Sequence, residues 1–200
     1  RDRSPSRGLG DVYKRQVRPQ NNTEPTEEKN MTQPTRTPSQ RATLLLGRHW
    51  SGFPIDPRVI AARTGVLVRQ SYTLPGDVAG VIARASAASP LTILVNGNDP
   101  RREQRFTVAH ELGHYMKLKE QGRLSRRLGF VEDREDLSIL NATEDAEVDA
   151  NQFAAELLMP VSALMVWYHS GTYFETVQHF LDVPARVLRE RYTSLGLQIE

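Results

Sequence analysis

Apolar positions between residues 101 and 118 recur with the period of an amphipathic helix. Small and apolar side chains follow one another at steps of three and four, at Phe106, Ala109, Leu112, Gly113 and Met116. This spacing is typical of one buried helical face. The pattern therefore predicts a helix from Arg101 to Leu118.

A second helical pattern lies between Thr143, a residue type that can cap a helix, and Pro160, which ends one. Its apolar stripe consists of Ala150, Phe153, Ala154, Leu157 and Leu158. Gly113 interrupts the first pattern, although glycine in a helix interior costs about 1 kcal/mol relative to alanine. We therefore expect the two helices to pack closely at Gly113, where a Cβ would crowd the second helix or a bound metal.

The chain after Pro160 is also predicted to be helical. Residues 161–170 are apolar and predict a core helix. Residues 174–184 and 185–196 predict two short helices joined by a turn at 181–184, which is a helix-turn-helix shape. Its arginines, Arg186, Arg189 and Arg191, are compatible with DNA contact, but a packing subdomain with a solvated arginine face is the favoured interpretation.

Shorter patterns predict one more helix and three strands. Asp56 as N-cap, Pro57 at the first helical position and Gly65 beyond the end are typical of a short helix. Residues 66–70 predict a strand, and residues 78–84 and 91–96 predict a hairpin. The fold class is therefore predicted as α+β, with a small antiparallel sheet packed on the two long helices and a C-terminal helical extension. The predicted boundaries are 43–160 for the main domain and 161–200 for the extension packed on it.

Residues 1–42 have a different composition, with few apolar residues and many Pro, Thr, Gln, Asn and Arg residues. Such a segment cannot bury enough surface to offset its ordering entropy, so a disordered tail is predicted. The first sixteen residues resemble translated sequencing-adapter read-through, and residues 1–30 are expected not to be native. Met31 is the suspected true start.

The charge balance gives little support for nucleic-acid binding. The net charge of +2 arises in the tail, where nine Lys/Arg face five Asp/Glu, whereas residues 43–200 hold seventeen and nineteen. The sequence has no cysteine, no apolar run near the ~18 residues of a membrane span and no signal-peptide pattern. We expect a cytoplasmic protein without disulfides, whose oligomeric state the sequence does not specify.

The first helix carries a metal-binding motif, His110-Glu111-Leu112-Gly113-His114. The two imidazoles lie one helical turn apart and project the same way, so they can bind one zinc ion at about 2.0–2.1 Å. Glu111 lies beside the pair, where it can act as a general base on a water held by the metal.

A zinc site needs a further protein ligand, which must be a carboxylate or a histidine because there is no cysteine. Glu147 is the best candidate, since it lies on the apolar stripe of the second helix, where an unpaired carboxylate is costly. Asp149 and Glu156 are interpreted as solvated charges.

The two motif segments together resemble the ImmA/IrrE family of HExxH metallopeptidases, over roughly Leu44 to the C-terminus. The resemblance rests on the run from Arg105 to Tyr115 and on the run from Glu147 to Pro160. It implies a zincin-like fold, zinc bound by His110, His114 and Glu147, and Glu111 as the base. It also implies a regulatory protease whose substrate is a helix-turn-helix repressor of a mobile element, stress operon or toxin–antitoxin-like locus.

Several roles stay open at this level. Asn151 is a candidate to orient a ligand histidine. Tyr115, His169 or His179 could stabilise an oxyanion, although a histidine without a metal role is the favoured interpretation for the latter two and for His49. The residues of the polar stretch 117–141 that could bind substrate are Arg123, Arg126 and Arg127, but a solvated loop is favoured there.

Two alternatives concern function. An exposed edge strand beside the metal could hold an extended peptide by main-chain hydrogen bonds, or the strands could serve only to shield the helix. The second functional hypothesis is a zinc-binding regulator that acts by binding protein or DNA with little proteolysis. The presence of Glu111 argues against it, because a purely structural zinc does not need a base.

Overall fold

The fold is that of a computed structural model, which describes residues 35–50, 52–86, 88–124 and 143–199. In these ranges the helices are α1 (Pro38–His49), α2 (Pro57–Arg63), α3 (Arg101–Glu120), α4 (Glu144–Leu158), α5 (Val161–His169), α6 (Phe174–Leu181) and α7 (Ala185–Ser194). The strands are β1 (Leu67–Ser71), β2 (Gly80–Ala83) and β3 (Thr92–Asn96). The chain is therefore α+β, as predicted.

The sheet is mixed rather than antiparallel, which corrects one part of the predicted fold. Its strand order is β1-β3-β2. The predicted hairpin exists, because β2 pairs antiparallel with β3, with Val81 opposite Leu94. However, β1 pairs parallel with β3, with Val68 opposite Ile93. A hairpin can be predicted locally, from its turn residues. The partner of β1 cannot, because it depends on how the chain crosses from β1 at one edge of the sheet to β2 at the other.

Helix α1 begins at Pro38, inside the segment that was expected to be a disordered tail up to residue 42. The Thr37 hydroxyl accepts from the Gln40 backbone N–H at 3.2 Å, and the Gln40 side chain accepts from the Thr37 N–H at 2.9 Å. This reciprocal capping box, followed by proline in the first turn, fixes the helix start. Arg41 and Ala42 are buried, so the folded unit includes residues before 43. Residues 1–34 lie outside the described ranges.

The two long helices, α3 and α4, pack against each other at Gly113. A Cβ built on Gly113 would lie 3.0 Å from Phe153 Cδ1 and 3.2 Å from Ala150 Cα. The glycine is therefore explained by the close approach of α4, one of the two reasons expected from sequence. Thr143 stands at the N-cap of α4 as predicted, but its side chain makes no capping hydrogen bond.

The core lies between the sheet and these helices and continues into the C-terminal helices. Its largest fully buried side chains include Phe153, Ile60, Ile82, Ile93, Leu112, Leu157 and Leu164. Helix α5 is less buried than a core helix, since Leu164 is its one buried residue and Val166 is 67% exposed. Its apolar face packs on aromatic neighbours instead, with the Trp167 ring 5.0 Å from that of Phe53.

Helices α6 and α7 form the predicted pair of short helices with a turn between them. Asp182 ends α6 in a left-handed conformation at φ 51°. Its carboxylate accepts from Arg102 Nε at 3.1 Å, and its carbonyl accepts from Arg105 Nε at 3.0 Å. These contacts attach the turn to the first half of α3, the helix that carries the metal-binding motif.

Candidate metal centre

Helix α3 places His110 and His114 on one face, as their spacing of four residues requires. Their Nε2 atoms lie 3.0 Å apart. The interior of α3 is held by buried Val108, Ala109 and Leu112, so the backbone that carries the two imidazoles is fixed by packing on the core.

Helix α4 brings Glu147 to the same point. Glu147 Oε2 lies 3.1 Å from His110 Nε2, and Oε1 lies 3.3 Å from His114 Nε2. Four ligands at about 2.0–2.1 Å in a tetrahedron have mutual distances of about 3.3–3.4 Å. The three observed separations are close to these edges, so the side chains fit zinc without a change in the helix positions. In the described part of the chain this is the one group of three such side chains that could hold a metal.

Asn151 contacts the His110 ring nitrogen that does not face Glu147. Its Oδ1 lies 2.9 Å from His110 Nδ1. An amide oxygen is an acceptor, so this contact favours the tautomer with the hydrogen on Nδ1 and the lone pair on Nε2. Asn151 lies one turn after Glu147, so a single face of α4 provides both a potential ligand and the partner of another.

Glu111 is buried beside this group, with 8% of the residue exposed. Burial, followed by the nearby Glu147 carboxylate, raises the pKa of Glu111 to about 8, and the backbone N–H of Ile82 on β2 acts in the opposite direction. Desolvation, followed by the charge of His110, lowers the pKa of His114 to about 4. His114 is therefore neutral at pH 7, the form that binds metals.

These two pKa shifts predict how stability depends on pH when zinc has been removed. Glu111 binds a proton more tightly in the folded state, so its contribution is complete below pH 4.5 and is lost as the pH rises to about 8. His114 binds a proton less tightly when folded, so its contribution is lost as the pH falls from 6.5 to about 4. Above pH 6.5 the effect of Glu111 is the larger one, and the free energy of unfolding should fall by roughly 1 kcal/mol between pH 6.5 and 8.

Urea unfolding of chelator-treated protein at several pH values measures this slope. The matched variant is Glu111→Gln, in which the slope above pH 6.5 should disappear. An equal slope in both proteins would show that another group is responsible.

A cleft of about 850 Å³ opens onto the four motif residues and is bounded by the edge of the sheet. The cleft is lined by residues Val78 to Val81, by residues of α3, and by Thr143 and Ala146 at the start of α4. Glu103 and Arg186 also line it and form an ion pair of 2.6 Å. The cleft can therefore admit an extended chain beside the metal-binding side chains.

Other candidates from the sequence lie elsewhere. The Tyr115 hydroxyl donates to the Thr64 carbonyl at 3.2 Å, and Tyr115, His169, His179 and His49 do not line the cleft. Arg123 does line it, whereas Arg126 and Arg127 fall outside the described residues. An oxyanion donor is therefore not among the aromatic and histidine candidates.

Asp149 and Glu156 were expected to be solvated, and that interpretation is wrong. Asp149 contacts the buried Arg41 guanidinium and also lies 3.1 Å from Lys117 Nζ. Glu156 is 8% exposed and contacts Arg191. Both partners are distant in sequence, and Arg41 had been assigned to the tail, so the pairing could not be seen from local patterns.

The sequence interpretation also missed Gly80. A Cβ at this position would overlap the Cγ2 methyl of Thr107 and lie 3.0 Å from the Leu94 carbonyl oxygen. The available signal was a glycine inside a strand pattern, which often marks a close approach of the backbone.

The site combines a helix that carries an HExxH motif with a carboxylate from a second helix, within an α+β fold. These are the features of a metallopeptidase-type metal site. Residues 61–193 match the family Peptidase_M78, described as the IrrE N-terminal-like domain. This match covers more than half of the chain, which therefore belongs to the ImmA/IrrE family.

The fold is similar to that of a solved Mycobacterium tuberculosis transcriptional regulator, with a TM-score of 0.53 and 15% sequence identity. The match covers 78% of this chain and 46% of that one, so the chain spans about half the length of the regulator. No curated protein matches the sequence significantly. Among the described helices, none has the length and apolar character needed to cross a bilayer.

Proposed function

We propose that this protein is a zinc-dependent metalloendopeptidase. The observation that carries the proposal is the convergence of His110, His114 and Glu147 at 3.0–3.3 Å with a buried carboxylic acid, Glu111, beside them. A structural zinc site is usually closed by four protein ligands, whereas a hydrolytic site has three and an open position. The described residues offer three.

The roles of the side chains follow from their chemistry. His110 and His114 provide Nε2 lone pairs, Glu147 provides a carboxylate oxygen, and Asn151 holds the His110 ring in the required tautomer. Zinc, when bound, would act as a Lewis acid on a water and on the substrate carbonyl, and its charge would favour the ionised form of Glu111. Glu111 accepts the proton of the attacking water and returns it to the leaving amine nitrogen.

The edge of the sheet is the proposed docking site for the peptide. Strand β2 has β3 on one side only, and Val78, Ala79, Gly80 and Val81 line the cleft. An extended peptide added to this edge would pair with main-chain groups and lie across the ligand side chains. The favoured role of the strands is therefore substrate binding rather than shielding alone.

The proposed substrate is a helix-turn-helix repressor, which places the reaction in the cytoplasm. Family membership supports a regulatory substrate. The C-terminal arginines favour this role over direct DNA binding, since Arg186 pairs with Glu103, Arg191 pairs with Glu156 and Arg189 lies 4.9 Å from the Phe174 ring centroid. DNA contact by these arginines would compete with these contacts.

Metal removal tests the proposal directly. The full chain is incubated with the purified helix-turn-helix repressor encoded beside its gene, before chelation, after chelation and after return of one equivalent of zinc. We expect cleavage at one peptide bond, its loss on chelation and its recovery with zinc, measured by mass spectrometry of the fragments. An intact repressor under all three conditions, combined with tight binding to it, would favour a zinc-dependent binding regulator instead.

A further inference from the structure

Strand β2 turns half of its main-chain groups away from the sheet. The Asn96 N–H donates to the Ala79 carbonyl at 2.8 Å, and hydrogen-bonded pairs alternate along an antiparallel ladder. Val81 and Ala83 therefore bond to β3, whereas the groups of Gly80 and Ile82 point outwards. The outward N–H of Ile82 faces the Glu111 carboxylate of α3, whose pKa it lowers.

This contact depends on how closely the strand approaches the helix. A Cβ at Gly80 would overlap the Thr107 Cγ2 methyl and lie 3.7 Å from Glu111 Cγ. Thr107 lies one turn before Glu111 and is itself buried, so it has little space to move. Any side chain at position 80 must therefore push β2 away from the turn of α3 that carries Glu111.

We propose that strand β2 positions the catalytic base, because the missing side chain at Gly80 lets the Ile82 amide reach and hold the Glu111 carboxylate. Gly80 and Thr107 are then positioning residues, which act through Glu111 without touching the substrate's scissile bond. The inference rests on the proposed function, since it gives a role to residues around the proposed base.

The arrangement links the base to the substrate. The N–H and C=O of Gly80 face the same free edge at which a peptide would pair, two residues from the amide that holds Glu111. A shift of β2 therefore moves the docked peptide and the base together, and a displacement of about 1 Å can lower the rate about 100-fold.

The first test uses Gly80→Ala, Thr107→Ser and the double variant of the zinc-loaded full chain. Thr107→Ser removes the methyl group that the new Cβ would overlap. We expect Gly80→Ala to lower kcat for repressor cleavage about 10- to 100-fold, with zinc content unchanged and KM changed much less. The double variant should recover at least half of this loss on a logarithmic scale, although the Leu94 carbonyl at 3.0 Å limits the recovery.

The matched control is Gly97→Ala. The three atoms nearest to its Cβ would all belong to the ring of Tyr72, which is 67% exposed and can rotate away, so kcat should stay at the wild-type value. A wild-type kcat in Gly80→Ala, or a loss that Thr107→Ser does not relieve, would overturn the inference.

Hydrogen exchange provides a test that needs no substrate. The Ile82 amide should exchange about tenfold faster or more in Gly80→Ala and in Glu111→Ala. It should be protected again in the double variant that combines Gly80→Ala with Thr107→Ser. The amides of Val81 and Ala83 should stay protected in all variants, because they bond to β3. Equal deprotection of all three amides, or an unchanged Ile82, would contradict the inference even if the repressor proves not to be the substrate.

Discussion

Replacing Glu111 by glutamine is expected to lower the rate of repressor cleavage about 10²- to 10⁴-fold, while one zinc stays bound. Glutamine has nearly the same shape and keeps an oxygen that can accept from the Ile82 amide. It cannot accept the proton of the attacking water, and that is the property that the mechanism requires. The metal ligands lie on other side chains, so the zinc content should equal that of the wild type.

The measurement combines single-turnover cleavage with metal analysis of the same samples. Glu175→Gln is the matched control, because it makes the same chemical change at an exposed position of α6 that does not line the cleft. The stability result separates folding from chemistry, since at pH 8 the metal-free Glu111→Gln variant should be at least as stable as the wild type. Full cleavage activity in Glu111→Gln would show that Glu111 is not the general base.

The spacing of residues within a single helix was enough to predict that the two histidines lie on one face. His110 and His114 share a face because helical geometry permits nothing else for residues four apart. Glu147 was selected because it lies one turn before Ala150 on the apolar stripe, where a buried carboxylate would be costly, but its side chain is 45% exposed, so burial was not the reason that it fits. The structure brings these three side chains within 3.0–3.3 Å of one another, and Asn151 within 2.9 Å of His110.

Features that depend on distant partners could not be predicted in this way. The parallel pairing of β1 with β3 is decided by the path of the chain between them. Arg41 was placed in the tail because its neighbours are polar, and its burial against Asp149 became visible only with α1 packed on α4. Asp149 appeared solvated because its partner Arg41 lies on α1, a helix that was not predicted from the sequence.

Replacing Glu147 by alanine is expected to weaken zinc binding more than about 100-fold, the upper end of the loss seen when only an outer partner of a ligand is removed. Among the described residues, two imidazoles from one helix would then be the only protein ligands left, and α4 would no longer be connected to α3 through the metal. The measurement is zinc affinity by competition with a chromogenic chelator. A second measurement is the rise in melting temperature on adding zinc, which should nearly vanish in the variant.

Glu144→Ala is the appropriate control for this experiment, whereas Asp149→Ala is not. Glu144 is exposed in the first turn of α4, so its loss removes one negative charge near the site without removing a contact to the ligands. Asp149 contacts the buried Arg41, and its removal would leave that guanidinium with the more distant Glu120 carboxylate at 3.4 Å and destabilise the fold. If Glu147→Ala bound zinc as tightly as Glu144→Ala, the third ligand would have to come from elsewhere, and the convergence of α3 and α4 would no longer support a hydrolase.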